Sequence, residues 1–139
     1  MTLAAFSLLL LVQGPALRAL PAGPEHWGYL NFSFSPDSKR IVFSRIDDTA
    51  KFSVGQVNTW VADADGSNAQ TELNGTTDAV FTADGKGLLF TRSEEIHRLD
   101  LASKTESKFP TQMKAHSVMP SPARDRIAFT SVLVSFPTP

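Results

Sequence analysis

The residues with the greatest chemical capacity in this chain are a run of alternating carboxylates, Asp63-Ala-Asp65-Gly66, and three histidines, His26, His97 and His116. Alternating carboxylates can converge on one hard cation, as in a calcium loop. That chemistry needs a glycine at the sixth place and a bidentate glutamate at the twelfth, whereas here Gly66 comes at the fourth and Asn74 stands at the twelfth. A hairpin turn at Asp65-Gly66 is the expected structure instead. The histidines lie far apart in sequence with no metal-ligand spacing, so each is expected to be an ordinary strand or loop residue. A serine hydrolase would need a nucleophile on a strained turn, usually Gly-x-Ser-x-Gly, and the chain has no such motif. It has no cysteine either, which removes disulfides, thiolate metal sites, cysteine nucleophiles and a lipidated N-terminal cysteine. No catalytic, metal-binding or cofactor-binding residue is therefore predicted, and no cofactor.

Charge narrows the partners. The net charge is −1 and 19% of residues are charged, so nothing draws the chain globally toward nucleic acid or an anionic membrane. Asn31-Phe-Ser33 and Asn74-Gly-Thr76 match the glycosylation sequon, which matters only in a eukaryotic secretory route, and Asn74-Gly75 reads as a turn.

The elements that must carry these residues are set by a repeat. Phe34-Ser-Pro-Asp-Ser-Lys-Arg-Ile-Val-Phe43 recurs as Phe81-Thr-Ala-Asp-Gly-Lys-Gly-Leu-Leu-Phe90 and, more weakly, as Pro120-Ser-Pro-Ala-Arg-Asp-Arg-Ile-Ala-Phe129. The closing phenylalanines recur at roughly 40 to 50 residues, the period of a propeller blade and well above that of short solenoid repeats. Pro36 presets the second position of a type I turn, and Asp84-Gly85 between β-rich runs is a strong hairpin signal. The runs that follow, from Arg40 and from Gly87, are apolar on both faces, as expected for a strand covered on each side.

In order along the chain, residues 1–22 are predicted to be a signal peptide. The apolar core Leu3–Val12 suits an h-region and is too short to span a bilayer as a helix. Its n-region, Met1-Thr2, lacks lysine and arginine, and the small-residue sites are Gly14-Pro-Ala16 and a later Ala22; a buried apolar helix is the alternative. From residue 25 to 139 the composition is that of short strands and turns. Strands are predicted near Tyr29–Ser35, Arg40–Arg45, Asn58–Ala62 and Gln70–Leu73, with a surface loop over Ile46–Val57. A second set is predicted near Asp78–Thr82, Gly87–Arg92, Glu95–Leu101 and Thr105–Phe109, with Ser93-Glu94 as a short turn. A third begins at Ser117–Ser121 and Arg126–Ser131 and runs into Val132–Phe136. The expected fold is all-β, an incomplete β-propeller of two to three four-stranded antiparallel blades covering about 29–75, 76–115 and 116–139. Trp27, Tyr29 and Trp60 could stack a ligand at a channel mouth, but packing between blades is their expected role.

The first repeat followed by Asn58-Thr-Trp-Val-Ala-Asp-Ala-Asp-Gly-Ser-Asn68 resembles the propeller repeat of TolB, the periplasmic protein of the Tol system. The second unit is similar, with Glu95-Ile-His-Arg-Leu-Asp-Leu-Ala102 in the matching place. The chain departs from the pattern at Ser38, where the family has a turn glycine, at Ser103-Lys104, where it has Thr-Gly, and at Ala123-Arg124 in the third copy. The resemblance covers about residues 29 to 131 and leaves no room for the α/β domain that precedes the propeller in that family. It implies the blade fold and no particular partner-binding residue.

Propellers close with about 4 to 8 blades, so two and a fraction leave blade faces uncovered. A piece of a longer propeller is expected, or else copies that close a ring together, with self-association through two open apolar faces. The expected function is an exported, non-catalytic module in the periplasm or outside the cell. It binds a protein or envelope component through loops on one face, with no stable membrane span. The alternative is the propeller portion of a prolyl oligopeptidase-like serine peptidase whose catalytic domain lies elsewhere.

Overall fold

A computed structural model of the chain describes residues 10–13, 16–19, 28–46, 56–121 and 126–131. Twelve strands and no α-helix form among them. The first two, β1 (Leu10–Gln13) and β2 (Ala16–Ala19), pair antiparallel with each other. This part of the predicted leader is thus extended rather than helical. The rest of residues 1–22 lies outside the described residues.

The first blade is a four-stranded sheet in sequence order: β3 (Gly28–Phe34), β4 (Arg40–Ile46), β5 (Val57–Asp63) and β6 (Gln70–Asn74). The second repeats it with β7 (Val80–Phe81), β8 (Gly87–Arg92), β9 (Glu95–Asp100) and β10 (Glu106–Phe109). Strands β11 (Ser117–Pro120) and β12 (Ile127–Thr130) pair as the start of a third. All pairings are antiparallel, as consecutive hairpins require. Ten of the eleven strands expected from the sequence have a described counterpart; Val132–Phe136 and most of the Ile46–Val57 loop lie outside the described residues. The largest difference is β7, which is only two residues long where five were expected. Ala79 is buried there but makes no ladder pair.

The period-two alternation of β4 and β8 assigns their two faces. Ile41 and Phe43 point one way and Val42 the other; Leu88 and Phe90 point back toward the first blade and Leu89 away from it. Val42, Val61 and Leu73 of the first blade therefore meet Phe81, Leu88 and Phe90 of the second in one core. Phe90 and Leu88 are completely buried there. Each such side chain contributes roughly 1.5–3 kcal/mol on burial, against at most about 1 kcal/mol for an exposed ion pair such as Lys114–Glu94. The blade-to-blade seam is thus the principal source of stability in this region. Leu89 and Ile96 on the far face of the second blade are covered by Ala115 and Val118.

The expected pair of open apolar faces is only partly found. In the first blade Ile41, Phe43 and Ala62 are buried, with Tyr29 and Trp60 packed against them, while on β3 Phe34 at the rim is 51% exposed and Phe32, opposite Phe43 in the ladder, is 42% exposed. On the trailing side Ile127 and Phe129 remain more than a third exposed.

Turn chemistry agrees with the sequence in position throughout and in type at Pro36, but not in type at the two Asp-Gly turns. Ser38, Gly66 and Gly85 each donate their N–H to the carbonyl three residues back, at 2.8 Å, and each has positive φ. These connections are type I turns followed by a left-handed residue, not two-residue hairpins. The only described connection with the φ signs of a two-residue type I′ turn is Ser93-Glu94, at 51° and 64°, which carries neither asparagine nor glycine. At Ser38 a non-glycine residue holds φ 58°, where Gly85 holds 70° in the second copy.

Replacing Ser38 with glycine removes this left-handed strain, and Ser38→Gly is expected to stabilise the protein by roughly 1 kcal/mol, raising the thermal midpoint by about 3–4 °C. Gly85→Ala should lower it by a similar amount, because the added Cβ carries the same strain and sits 3.4 Å from Pro36. Thermal unfolding of both variants checks the pair; a fall for Ser38→Gly would refute the strain assignment.

Candidate functional site

Antiparallel connectivity brings the first and third connections of each blade out at the same end of the sheet. The turns at 35–40, 63–68, 82–87 and 100–105 therefore form one rim. The type I′ turn at Ser93-Glu94 and the crossover at 74–79 lie at the other end. Within each blade the two rim turns are tied by a backbone bond, from Ala64 N–H to the Lys39 carbonyl at 2.8 Å and from Leu101 N–H to the Lys86 carbonyl at 3.0 Å.

The rim is organised by the same hydroxyl–carboxylate bracket in both blades. Ser35 Oγ donates to Asp37 Oδ1 at 2.6 Å and accepts from the Arg40 N–H at 2.9 Å, while Asp37 accepts from the Lys39 N–H at 3.1 Å. Thr82 Oγ1 donates to Asp84 Oδ1 at 2.6 Å and accepts from the Gly87 N–H at 2.9 Å, while Asp84 accepts from the Lys86 N–H at 3.0 Å. The third copy has Ala123 at the aspartate position and keeps only the serine half, with the Arg126 N–H 3.3 Å from Ser121 Oγ. This bracket is what the repeated Ser/Thr-x-Asp spacing encodes. That serine and aspartate side chains here bond nearby backbone amides can be read from the sequence; the bond from the hydroxyl to the carboxylate cannot.

Between the two brackets runs an open groove of about 600 Å³, lined by Pro36, Asp37, Arg40, Asp84, Lys86 and Asp100 among others. Hydrogen bonding from Ser35 holds the Asp37 carboxyl below the usual carboxylate range, and Thr82 does the same for Asp84. Asp100 is lowered chiefly by the Ser103 backbone N–H and hydroxyl. All three are thus fixed anions at neutral pH, a poor state for a general acid and a good one for a charged recognition surface. Arg40 closes the groove floor: its guanidinium lies 5.1 Å from the centre of the Phe81 ring and donates to the Gly85 carbonyl, joining the two blades. Sequence reasoning read Arg40 only as the start of a strand. Its partners are about forty residues away, so no local pattern marks it.

The residues first singled out by type are dispersed. Asp63 and Asp65 are engaged by their own turn, where Ser67 Oγ donates to Asp65 at 2.6 Å and Asn68 Nδ2 to Asp63 at 2.6 Å. His97 lies in β9 with Nδ1 2.8 Å from Glu106, and its ring stacks on Phe90. His116 presents its carbonyl to Thr91, and His26 and Trp27 lie outside the described residues. Among the described residues no three of His, Cys, Asp and Glu come together as a metal site. Tyr29 packs on Phe43 at 5.6 Å between ring centres, and the Arg45 guanidinium sits 4.0 Å from the centre of Trp60, so both aromatics belong to the leading face of the first blade. Asn74-Gly75 is a turn, with Gly75 at φ 70°.

At the opposite end lies Asp78, which no local pattern in the sequence marks. Its carboxylate accepts from Thr91 Oγ1 at 2.9 Å and from Thr76 at 3.4 Å, and burial pushes its acid constant above the usual range despite these bonds. It locks the crossover between the blades to β8.

No protein-family model matches the chain and no curated protein matches it. Among solved structures it is similar to a protein assigned as TolB from Agrobacterium tumefaciens, with 18% identity and a TM-score of 0.64 over 86% of this chain and 43% of that one. It is also similar to an oligogalacturonate lyase from Vibrio parahaemolyticus, with 13% identity and a TM-score of 0.53 over 71% of this chain and 28% of that one. TolB from Acinetobacter baumannii matches with 14% identity and a TM-score of 0.48 over 84% and 40%. The chain spans less than half the length of each. At this identity the likeness is one of fold: the described strands adopt a partial β-propeller fold like that of the TolB structure.

Three substitutions test the site's electrostatics and turn chemistry. Thr82→Val keeps the shape but leaves the Gly87 N–H without its hydroxyl acceptor, an expected loss of roughly 1–3 kcal/mol in denaturant unfolding. Ser121→Ala, in the worn third copy, should cost less. Asp78 has the opposite sign to the rim aspartates. Its raised folded-state constant means that the charged form opposes folding above that constant, and the cost disappears as pH falls below the unfolded value of 3.8. Asp78→Asn should therefore be the more stable protein at pH 7, with the difference closing by about pH 3.5. Asp37, Asp84 and Asp100 add stability above 3.8 that is lost as pH falls through their lowered constants.

Proposed function

We propose that this chain is an exported, non-catalytic propeller module that binds a protein or envelope component through the turn rim of its blades. The observation that carries the reading is the rim itself. Its loops are short, cross-tied and held by hydroxyl–carboxylate brackets, and they border a groove that presents Asp37, Asp84 and Asp100 beside Lys86 and Arg40. A rigid polar surface of mixed charge suits recognition of another macromolecule, with charge placement giving specificity. The three carboxylates are held ionised by their own turns, which disfavours general-acid chemistry there. Residues 1–22, with their apolar core at Leu3–Val12, and the TolB-like fold support a periplasmic address. No described helix is long and apolar enough to cross a membrane.

Two measurements test the reading. Residues 1–30 fused to a phosphatase that is active only after export should give activity and a cleaved N-terminus; an inactive, uncleaved fusion refutes export. A photo-crosslinking amino acid at Lys86 should capture a defined envelope protein in cells, whereas one at Lys114, at the opposite end, should not. Equal capture at both ends, or none at Lys86, refutes the rim as the binding surface.

A further inference from the structure

Of the four asparagines, only Asn74 precedes a glycine. In that order an amide side chain is attacked most readily by the next main-chain nitrogen, because glycine puts no side chain in the way. Asn31, Asn58 and Asn68 are followed by phenylalanine, threonine and alanine. The amides of Asn31 and Asn68 are also engaged, with the Thr77 carbonyl and with Asp63. The two aspartates that precede glycine are held in their own turns. Asp65 accepts from the Ser67 N–H at 3.0 Å and hydroxyl at 2.6 Å, and Asp84 from the Lys86 N–H and the Thr82 hydroxyl. The hydrogen bond from Thr82 keeps Asp84 ionised, and an ionised carboxylate is a poor electrophile. Asn74 is exposed, and among the described residues its amide side chain has no such partner; Arg92 Nη2 lies 3.5 Å from its main-chain carbonyl instead.

Asn74 ends β6, the edge strand of the first blade, and the chain leaves that blade through Gly75. Gly75 donates its N–H to the Val57 carbonyl at 2.8 Å. The same nitrogen is the nucleophile of the reaction, so the fold keeps it bonded until the end of β6 opens. Thr76, the next residue, is 2% exposed. Its carbonyl accepts from Thr59 Oγ1 of the first blade at 3.3 Å, and its hydroxyl donates to the Thr91 carbonyl of the second at 3.4 Å. A change in main-chain length at Asn74 therefore reaches both blades.

We propose that Asn74-Gly75 is a self-modification site at the joint of the first two blades, where the amide becomes a carboxylate once the end of β6 opens. The Gly75 nitrogen gives its proton to solvent base and attacks Asn74 Cγ. The N–Cγ bond forms, the Cγ–Nδ2 bond breaks, and Nδ2 leaves as ammonia with a proton from water. Water then opens the cyclic imide. Cleavage of the new bond gives aspartate, and cleavage of the bond between the Asn74 carbonyl carbon and the Gly75 nitrogen gives isoaspartate. The balance is one water consumed and one ammonia released, with no change of oxidation state. Aspartate keeps the main-chain length and places its charge near Arg92. Isoaspartate routes the main chain through the side-chain carbon and lengthens it, which draws the Gly75 N–H off the Val57 carbonyl while Thr76 stays anchored. The reaction is a one-way loosening of the seam that records openings of the blade edge. It depends neither on export nor on the rim groove.

The test is ageing of the full chain in mildly alkaline buffer, folded and in denaturant. Peptide mapping by mass spectrometry separates aspartate from isoaspartate, and thermal unfolding follows the aged samples. Conversion should begin at position 74 before any other asparagine or aspartate. It should run roughly fivefold or more faster in denaturant, the factor expected for releasing one main-chain hydrogen bond. The aged protein should melt lower in proportion to its isoaspartate content. Fresh Asn74→Asp should melt like wild type, and Asn74→Gln, which closes the corresponding ring far less readily, should age without loss. Conversion that starts elsewhere, or runs as fast in the folded chain as in denaturant, overturns the proposal. So do isoaspartate at position 74 that leaves the midpoint unchanged, an Asn74→Asp midpoint as low as that of the aged protein, and an ageing loss that persists in Asn74→Gln. If Asn74→Gln fails to fold, Asn74→Ser takes its place under the same rule, and the mapping of the wild type needs neither variant.

Discussion

Everything described here depends on the central strands burying both of their faces. A strand such as β8, with Leu88 and Phe90 on one side and Leu89 on the other, has no side that tolerates water. It is stable only between two other sheets, and a propeller is the arrangement that supplies a sheet on each side for every blade. The crossover at 74–79 delivers the second blade to the face that Val42, Val61 and Leu73 leave apolar. The hydrogen bonds of Thr76, Asp78 and Thr91 hold the crossover in register once the seam has formed.

Given that packing, the chain can reverse direction only at the two ends of each blade, and the two ends are built differently. The rim turns are stiff because a serine or threonine hydroxyl and an aspartate carboxylate close each one from within, satisfying N–H groups that the strands leave over. This local closure keeps the carboxylates ionised and leaves their charge at the surface. The groove beside them is therefore polar and preorganised. Asp78 at the other end is partly buried and shifted the opposite way, which marks it as a structural group of the crossover rather than part of a recognition surface.

The seams of a repeat protein need not be equal, and here they are not. The first has an arginine staple; the second cannot, because Gly87 lies too close to the Leu99 carbonyl for any side chain and Pro120 replaces the phenylalanine. The second seam relies instead on Val118 and Ala115 packing against Leu89 and Ile96. Variation of this kind lets one blade plan present different edges.

The all-β class, the blade count, the positions of the strands and the turns at Pro36-Asp37, Asp65-Gly66 and Asp84-Gly85 could be read from the amino-acid sequence alone. These are local properties: a period of two, a period of roughly 40–50 residues, and turn residues whose backbone preferences act over a few positions. The likeness to the TolB repeat rested on the same local motifs. The tertiary structure decided which apolar face met which blade, that the leading face is closed at Ile41 and open at Phe34, and that Ser93-Glu94 adopts a turn its residue types disfavour. It also decided that Arg40 bridges to Phe81 and Gly85, and that Asp78 is buried in the crossover. Each of these depends on groups brought together from far along the chain or from the two sides of a seam. Their partners are chosen by burial, and no short stretch of sequence records what a residue will be buried against.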